Sequence, residues 1–100
     1  MAYCFCKISS DNEILLEKID KRIENKFDDV TLDKDLTFYA EEESIIKFFT
    51  NLCSKNESEE LKLLIINEDT GKERDFENLE GIATESEFSD GYYNEEELWY

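Results

Sequence analysis

The sequence predicts an α+β domain in which two helices pack on one face of a small, mainly antiparallel sheet. Two stretches, 11–27 and 41–55, repeat apolar residues every three or four positions, which is the period of an amphipathic helix. Shorter runs at 3–8, 36–40 and 61–66 carry the alternating or β-branched apolar residues typical of strands. The predicted order is β-α-β-α-β-β, followed by an acidic, aromatic C-terminal segment.

The first strand and the first helix have the clearest patterns. Residues 3–8 place Cys4, Cys6 and Ile8 at every second position, so one face of this strand is expected to be buried. Ser10 and Glu13 fit a capping box that opens a helix over about 11–27. The apolar stripe of that helix recurs every four residues and comprises Leu15, Ile19, Ile23 and Phe27.

The middle of the chain predicts a loop or a poor strand, then a better strand and a second helix. Residues 28–35 set only two apolar side chains among acids, whereas 36–40 is a short apolar strand. The second helix is expected to start near Glu41, because three acids in its first turn complement the positive end of the helix dipole. It ends at about 55–56, and its buried stripe comprises Ile45, Phe48, Phe49 and Leu52.

A hairpin follows the second helix. Residues 61–66 predict a central strand, because they are nearly all apolar. Residues 67–71 predict a turn that ends in a glycine, and 72–76 predict a polar strand at the edge of the sheet. A short helix is expected at 94–99.

Composition restricts the partners of this single domain, which spans 1–100. The chain has 27 acidic residues against 11 basic ones and a formal net charge of −16 at pH 7. That charge disfavours direct binding to nucleic acid and to an anionic membrane, since both need cations. The expected partner is a basic protein, and basic protein faces are often nucleic-acid-binding grooves. Self-repulsion predicts a fold whose stability rises with salt.

Known catalytic and metal-binding patterns are missing. The chain has no histidine, which excludes Ser-His-Asp and Cys-His nucleophiles, and it has no phosphate-binding glycine loop. Neither Gly71 nor Gly91 fits the sixth position of an EF-hand loop. Cys4, Cys6 and Cys53 are one ligand short of a zinc site and are expected in the core. We therefore expect no enzyme activity, cofactor or metal, although pairs among so many carboxylates leave acid–base chemistry open.

The cysteine count also suggests a compartment. Three cysteines without a signal peptide are typical of a reduced, cytoplasmic protein. No apolar run approaches the length of a membrane span.

The C-terminal quarter, 75–100, is the predicted docking segment. It holds nine acids and no lysine or arginine, with aromatic residues between the acids. Tyrosine and tryptophan inside a charged rim favour a protein interface, although the same rings are equally suited to covering the sheet. The candidate carboxylates are Glu85, Glu87, Asp90, Glu95, Glu96 and Glu97, and the candidate anchors are Tyr92, Tyr93 and Trp99.

Two short stretches resemble small, acidic, histidine-poor inhibitors encoded by phages and mobile elements. In 38–56 (FYAEEESIIKFFTNLCSKN), a strand that runs through acids into a Glu-Ser-Ile-x-x-Phe helix is similar to one small anti-CRISPR inhibitor of a CRISPR effector nuclease. The acidic-aromatic run 95–100 is a second likeness. Together they cover about a quarter of the chain. That inhibitor begins with a helix and then groups its three strands before the other helices. This chain is instead predicted to begin with a strand and to place a hairpin late. The resemblance implies an inhibitor that sits where DNA sits on a Cas effector.

Two other functions fit the same sequence. An immunity protein or antitoxin that neutralises a nuclease or another toxin needs the same charged plug with aromatic anchors. An oligomeric structural or adaptor domain, for instance a homodimer, needs the acids only for solubility.

Overall fold

The computed structural model describes residues 3–86, which form two helices and one six-stranded antiparallel sheet. The elements are β1 (Tyr3–Ser9), α1 (Glu13–Ile23), β2 (Asp28–Leu32), β3 (Leu36–Glu41), α2 (Glu42–Lys55), β4 (Lys62–Asn67), β5 (Lys72–Leu79) and β6 (Ile82–Glu85). The strand order across the sheet is β2-β3-β1-β4-β5-β6. The predicted α+β class is confirmed, and the six predicted elements occur in the predicted order; β2 and β6 are additional strands.

The sheet buries one face. Cys6 of β1 lies between Phe38 of β3 and Ile65 of β4 in the strand register, and all three side chains are buried. Because side chains alternate along a strand, every second residue of these strands points toward the same core. Ile19 of α1 and Phe49 of α2 cover that face. The core is entirely apolar among residues 3–86, since no polar or charged side chain is buried there.

The predicted ends of the first helix were wrong. The N-cap is Asn12, whose side-chain oxygen accepts a hydrogen bond from the Leu15 amide at 3.0 Å. Ser10, the predicted cap, accepts instead from the Asn12 amide at 3.1 Å and so fixes the approach to the helix. The helix ends at Ile23 rather than Phe27, yet Phe27 remains in the core.

The segment 28–35, predicted as a loop or a poor strand, contains the edge strand β2. Asp29 has a positive φ of 52°, and the pairing of β2 with β3 is irregular between Asp28 and Thr31. The half-buried Val30 and Leu32 pack against the core, which holds this irregular strand on the sheet.

The predicted edge position of 72–76 was also wrong, because β6 pairs with β5 and forms the edge itself. The connecting turn uses Glu80 and Gly81, both with positive φ. Asn78 stabilises this turn: its side-chain oxygen accepts from the Gly81 amide at 2.8 Å, and its side-chain nitrogen donates to the carbonyls of Asn56 and Glu59 at 2.9 and 2.8 Å. The hairpin that carries β6 is thereby tied to the loop after α2.

Neither helix in the described part of the chain is long and apolar enough to cross a membrane.

The cap geometry makes a stability prediction. Asn12→Ala removes the hydrogen bond accepted from the Leu15 amide, together with the 3.2 Å bond that Asn12 Nδ2 donates to Glu59 Oε1, and is expected to lower the free energy of unfolding by about 1 kcal/mol. Urea unfolding followed by circular dichroism measures the change. Asn25→Ala is the matched control, because Asn25 is exposed and has no side-chain hydrogen bond to any described residue; a change within about 0.5 kcal/mol is expected there. Equal losses in both variants would contradict the capping role.

Candidate docking surface

The face of the sheet opposite the helices, called the open face below, follows from the same alternation that builds the core. The residues between the buried ones point to this side. Its apolar members are half-buried or exposed and lie mostly on β1, β3 and β4: Tyr3, Phe5, Tyr39, Leu64 and Ile66. Its acidic members on β5 are Glu73, Asp75 and Glu77. No helix of the described chain covers this face.

The aromatic patch of the open face is formed by Tyr3, Phe5 and Tyr39. The ring of Phe5 lies edge-on to that of Tyr39, with centroids 5.5 Å apart, and Tyr3 stacks on Tyr39 at 6.5 Å. The Tyr39 hydroxyl donates to Glu68 at 3.3 Å, and the Tyr3 hydroxyl donates to Asp28. Desolvation, followed by the nearby Glu68 carboxylate, raises the pKa of Tyr39, so its hydroxyl remains a donor. The patch therefore presents apolar rings whose polar ends bond to acids.

The acidic row of the open face is formed by Glu73, Asp75 and Glu77 of β5. Residues two apart on a strand are separated by about 6.6 Å, so the row is a regular series of negative charges. In the register its members lie opposite Ile66, Leu64 and Lys62 of β4. Within residues 3–86, no ion pair joins any of the three carboxylates to a cation. The row thus combines regular spacing with unneutralised charge.

A groove of about 400 Å³ lies beside this row. The side chains of Lys7, Lys62, Asp75 and Glu77 contribute to its walls, together with Leu64. The lining combines positive and negative side chains with apolar surface, which suits a protein side chain better than an isolated ion.

Glu85 is the one predicted site residue that the described chain contains. It lies opposite Phe76 in the register, and its carboxylate accepts hydrogen bonds from Arg74 Nε at 2.8 Å and Nη2 at 2.7 Å. Arg74 also donates to Glu42 of α2. These contacts lower the pKa of Glu85 and raise that of Arg74. The Glu85 charge is therefore largely neutralised, and it joins β6 to α2 through Arg74.

The other predicted site residues lie outside the described residues, as does the predicted helix at 94–99. They are Glu87, Asp90, Tyr92, Tyr93, Glu95, Glu96, Glu97 and Trp99.

Glu73 was missed at the sequence level, although a signal for it exists. Glu73 and Asp75 occupy alternate positions of 72–76, which was predicted to be a strand, and Glu77 continues the alternation in β5 one residue beyond that range. Alternation alone places all three on one face. The predicted docking segment begins at residue 75, because it is defined by the run of acids along the chain and not by the face of the strand. It therefore includes Asp75 and Glu77 but not Glu73.

The three thiols of the described chain are buried and poorly suited to nucleophilic or metal chemistry. Burial raises the pKa of Cys6 to about 12 and that of Cys53 to about 11, and it also raises the pKa of Cys4. All three thiols are therefore protonated near neutral pH. A hydrogen bond with Asp11 raises the pKa of Glu60, but both carboxyls are on the exposed surface. No group of three or more metal-ligating side chains occurs within residues 3–86.

No protein-family model, no curated protein and no solved structure matches this chain.

The Arg74–Glu85 contact makes a pH prediction. A carboxyl group whose pKa is lowered by folding stabilises the folded state above its unfolded pKa, and that contribution is lost as the pH falls through the folded pKa. A double-mutant cycle with Arg74→Met and Glu85→Gln is expected to give a coupling energy of about 1 kcal/mol at neutral pH, because both side chains are partly exposed. The coupling should fall toward zero in acid.

The matched control for this cycle is Lys7→Met with Asp35→Asn, whose ion pair has 4.0 Å between Lys7 Nζ and Asp35 Oδ2 and no second contact. Its coupling energy should be close to zero at every pH. A coupling for Arg74 and Glu85 that does not change between neutral and acidic pH would refute the assignment to the ionised carboxylate.

Proposed function

We propose that this chain is a non-enzymatic inhibitor that binds and blocks the basic nucleic-acid-binding surface of a partner protein. The sharpest form of the proposal is an anti-CRISPR protein that acts on a Cas effector. The observation that carries it is the open face, where the row of Glu73, Asp75 and Glu77 on β5 shares one surface with the aromatic patch on β1 and β3, separated from it by β4.

The charges support a basic partner. The described residues contain 22 acids and 11 bases, since five of the chain's 27 acids fall within 87–100. A nucleic-acid-binding groove carries lysine and arginine placed for a series of phosphates, and a series of unpaired carboxylates on a rigid strand offers those cations a substitute. Opposite potentials also accelerate association and orient the encounter.

The aromatic patch indicates that the partner is a protein and not merely the counterions that any acidic surface attracts. Half-buried rings already held in place lose little conformational freedom on binding. Rings of this kind act as anchors at the centre of an interface, whereas carboxylates suit its rim. Tyr3, Phe5 and Tyr39 therefore supply affinity, and the acidic row supplies orientation and salt dependence.

The predicted docking segment, 75–100, includes Asp75 and Glu77 of the acidic row. The Ser86 amide donates to the Asp75 carbonyl at 2.8 Å, so the chain leaves the sheet next to that row. Residues 87–100 add five acids and no base. The resemblance of 38–56 to an anti-CRISPR inhibitor is consistent with β3 passing directly into α2 at Glu41 and Glu42. The proposal places the protein in the cytoplasm, where three free thiols stay reduced.

A competition experiment tests the proposal. Fluorescence anisotropy of labelled DNA is measured on three purified proteins, namely a guide-loaded CRISPR effector, a toxin nuclease and a basic protein that does not bind DNA specifically. We expect the chain to displace DNA from the effector and to do so less well as salt rises. Reversal of the row in Glu73→Lys/Asp75→Lys/Glu77→Lys should raise the concentration needed by about tenfold or more.

The matched control is Glu17→Lys/Glu24→Lys/Asp33→Lys. It changes the net charge equally at exposed acids away from the open face, and none of the three side chains has an ion pair or hydrogen bond with a described residue. It should displace DNA nearly as well as the unmodified chain. Equal displacement by the row variant, or displacement from no protein in the panel, would end the proposal. Selective displacement from the nuclease would instead identify an immunity protein.

A further inference from the structure

The outer side of the helical layer carries a groove that the docking proposal leaves unused. It lies between α1 and α2, has a volume of about 230 Å³, and is floored by Phe48 and Leu52. Four of the chain's 11 basic side chains line it: Arg22, Lys26, Lys47 and Lys55. Its other lining residues are Ser44 and Asn51. About a third of the basic side chains of this acidic chain therefore line one groove, and no carboxylate is among the lining residues.

This groove is called the cationic groove below. Its four basic side chains have no acidic partner in the described chain. All ion pairs among residues 3–86 involve Lys7 or Arg74. The Arg22 guanidinium and the Lys26 ammonium, both near the C-terminal end of α1, each lie 5.5 Å from the centroid of the Phe48 ring. Like charges this close repel one another unless an anion lies between them. The groove therefore favours an anionic ligand with an apolar or aromatic part.

We propose that the occupant is the chain's own C-terminal segment, residues 87–100. It carries Glu87, Asp90, Glu95, Glu96 and Glu97 without any basic residue. Its aromatic rings suit the apolar floor formed by Phe48 and Leu52, and its carboxylates suit the four basic side chains of the groove. Charge complementarity selects this segment over the rest of the chain, whose acids are interspersed with lysine and arginine.

The segment is long enough to reach the groove. The chain leaves the sheet after β6, and β6 packs against α2, the helix that supplies Lys47 and Lys55. The fourteen residues from 87 to 100 span up to about 46 Å when extended. α2 itself is only about 21 Å long, so every position along it lies within reach. Because the segment is tethered to the groove, this docking also occurs at protein concentrations too low for two copies to associate.

Such docking is an autoinhibitory contact. When the groove holds the segment, its carboxylates are withdrawn from any basic partner. The contact does not depend on the partner's identity, because it is made within the free chain and is measured without a partner.

Trp99 is the only tryptophan of the chain and lies in the segment, so its fluorescence reports the contact directly. In the unmodified protein at low salt we expect emission at shorter wavelength than in concentrated urea, with restricted quenching by acrylamide. In Arg22→Gln/Lys26→Gln/Lys47→Gln/Lys55→Gln the quenching constant should rise about twofold, because the segment opens to solvent. High salt should have the same effect on the unmodified protein.

The matched control removes four exposed lysines that lie outside the groove, as Lys18→Gln/Lys21→Gln/Lys34→Gln/Lys72→Gln, and should leave Trp99 shielded. The groove residues are also exposed, and circular dichroism establishes that both variants fold. If a variant does not fold, the salt titration of the unmodified protein decides alone. The proposal is overturned by full exposure of Trp99 in the unmodified protein, by equal shielding in the groove variant, or by shielding that depends on protein concentration, which indicates a second copy. Tight binding of a labelled single-stranded DNA that the groove variant loses would assign the groove to nucleic acid instead.

Discussion

One-sided burial is the constraint on which the rest of this structure depends. Both helices lie on the same face of the sheet, so the strands keep one row of side chains dry and leave the next row in contact with water. The open face is consequently assembled from groups that accept water on one side, such as the tyrosines bonded to Asp28 and Glu68. A second layer of helices would have buried Glu73, Asp75 and Glu77, whose desolvation without cations is costly. Their placement on β5 is compatible with folding only because this face is open.

The use of cations shows how a strongly acidic chain remains folded. Arg74 binds two carboxylates, Glu42 of α2 and Glu85 of β6, and also lies over the Phe76 ring at 5.2 Å. One guanidinium thereby joins the edge strand to the helical layer and offsets one of the two negative charges that it contacts where the chain enters its C-terminal segment. A lysine lacks the planar fork that allows such a bidentate contact. The cations of the groove between the helices are different, because they neutralise nothing within the described chain.

Local patterns predicted the core elements, whereas long-range contacts decided the rest. The alternation of Cys4, Cys6 and Ile8 specifies a buried strand face by itself. β2 was predicted only as a loop or a poor strand, because its place depends on pairing with β3 and on an unusual φ at Asp29, neither of which the sequence displays. Ser10 and Asn12 are almost equally good caps, so tertiary context had to choose between them. The acidic row was predictable by alternation along β5. The neutralisation of Glu85 was not, since Arg74 is eleven positions away and the contact exists only once β5 and β6 pair.

The cationic groove and the acidic surfaces belong to one molecule, so the proposed docking to a partner is a competition. A tethered segment meets its own groove at an effective concentration on the order of millimolar, which a weakly basic protein at cellular concentration does not match. Only a partner with several well-placed cations and a site for the aromatic rings displaces it, and the apparent affinity falls by the fraction of molecules that are already open. Salt weakens both contacts together, so its effect on inhibition is smaller than the charge of the segment alone implies. Self-docking would thus make a highly charged protein selective, because it removes the adventitious partners that net charge attracts.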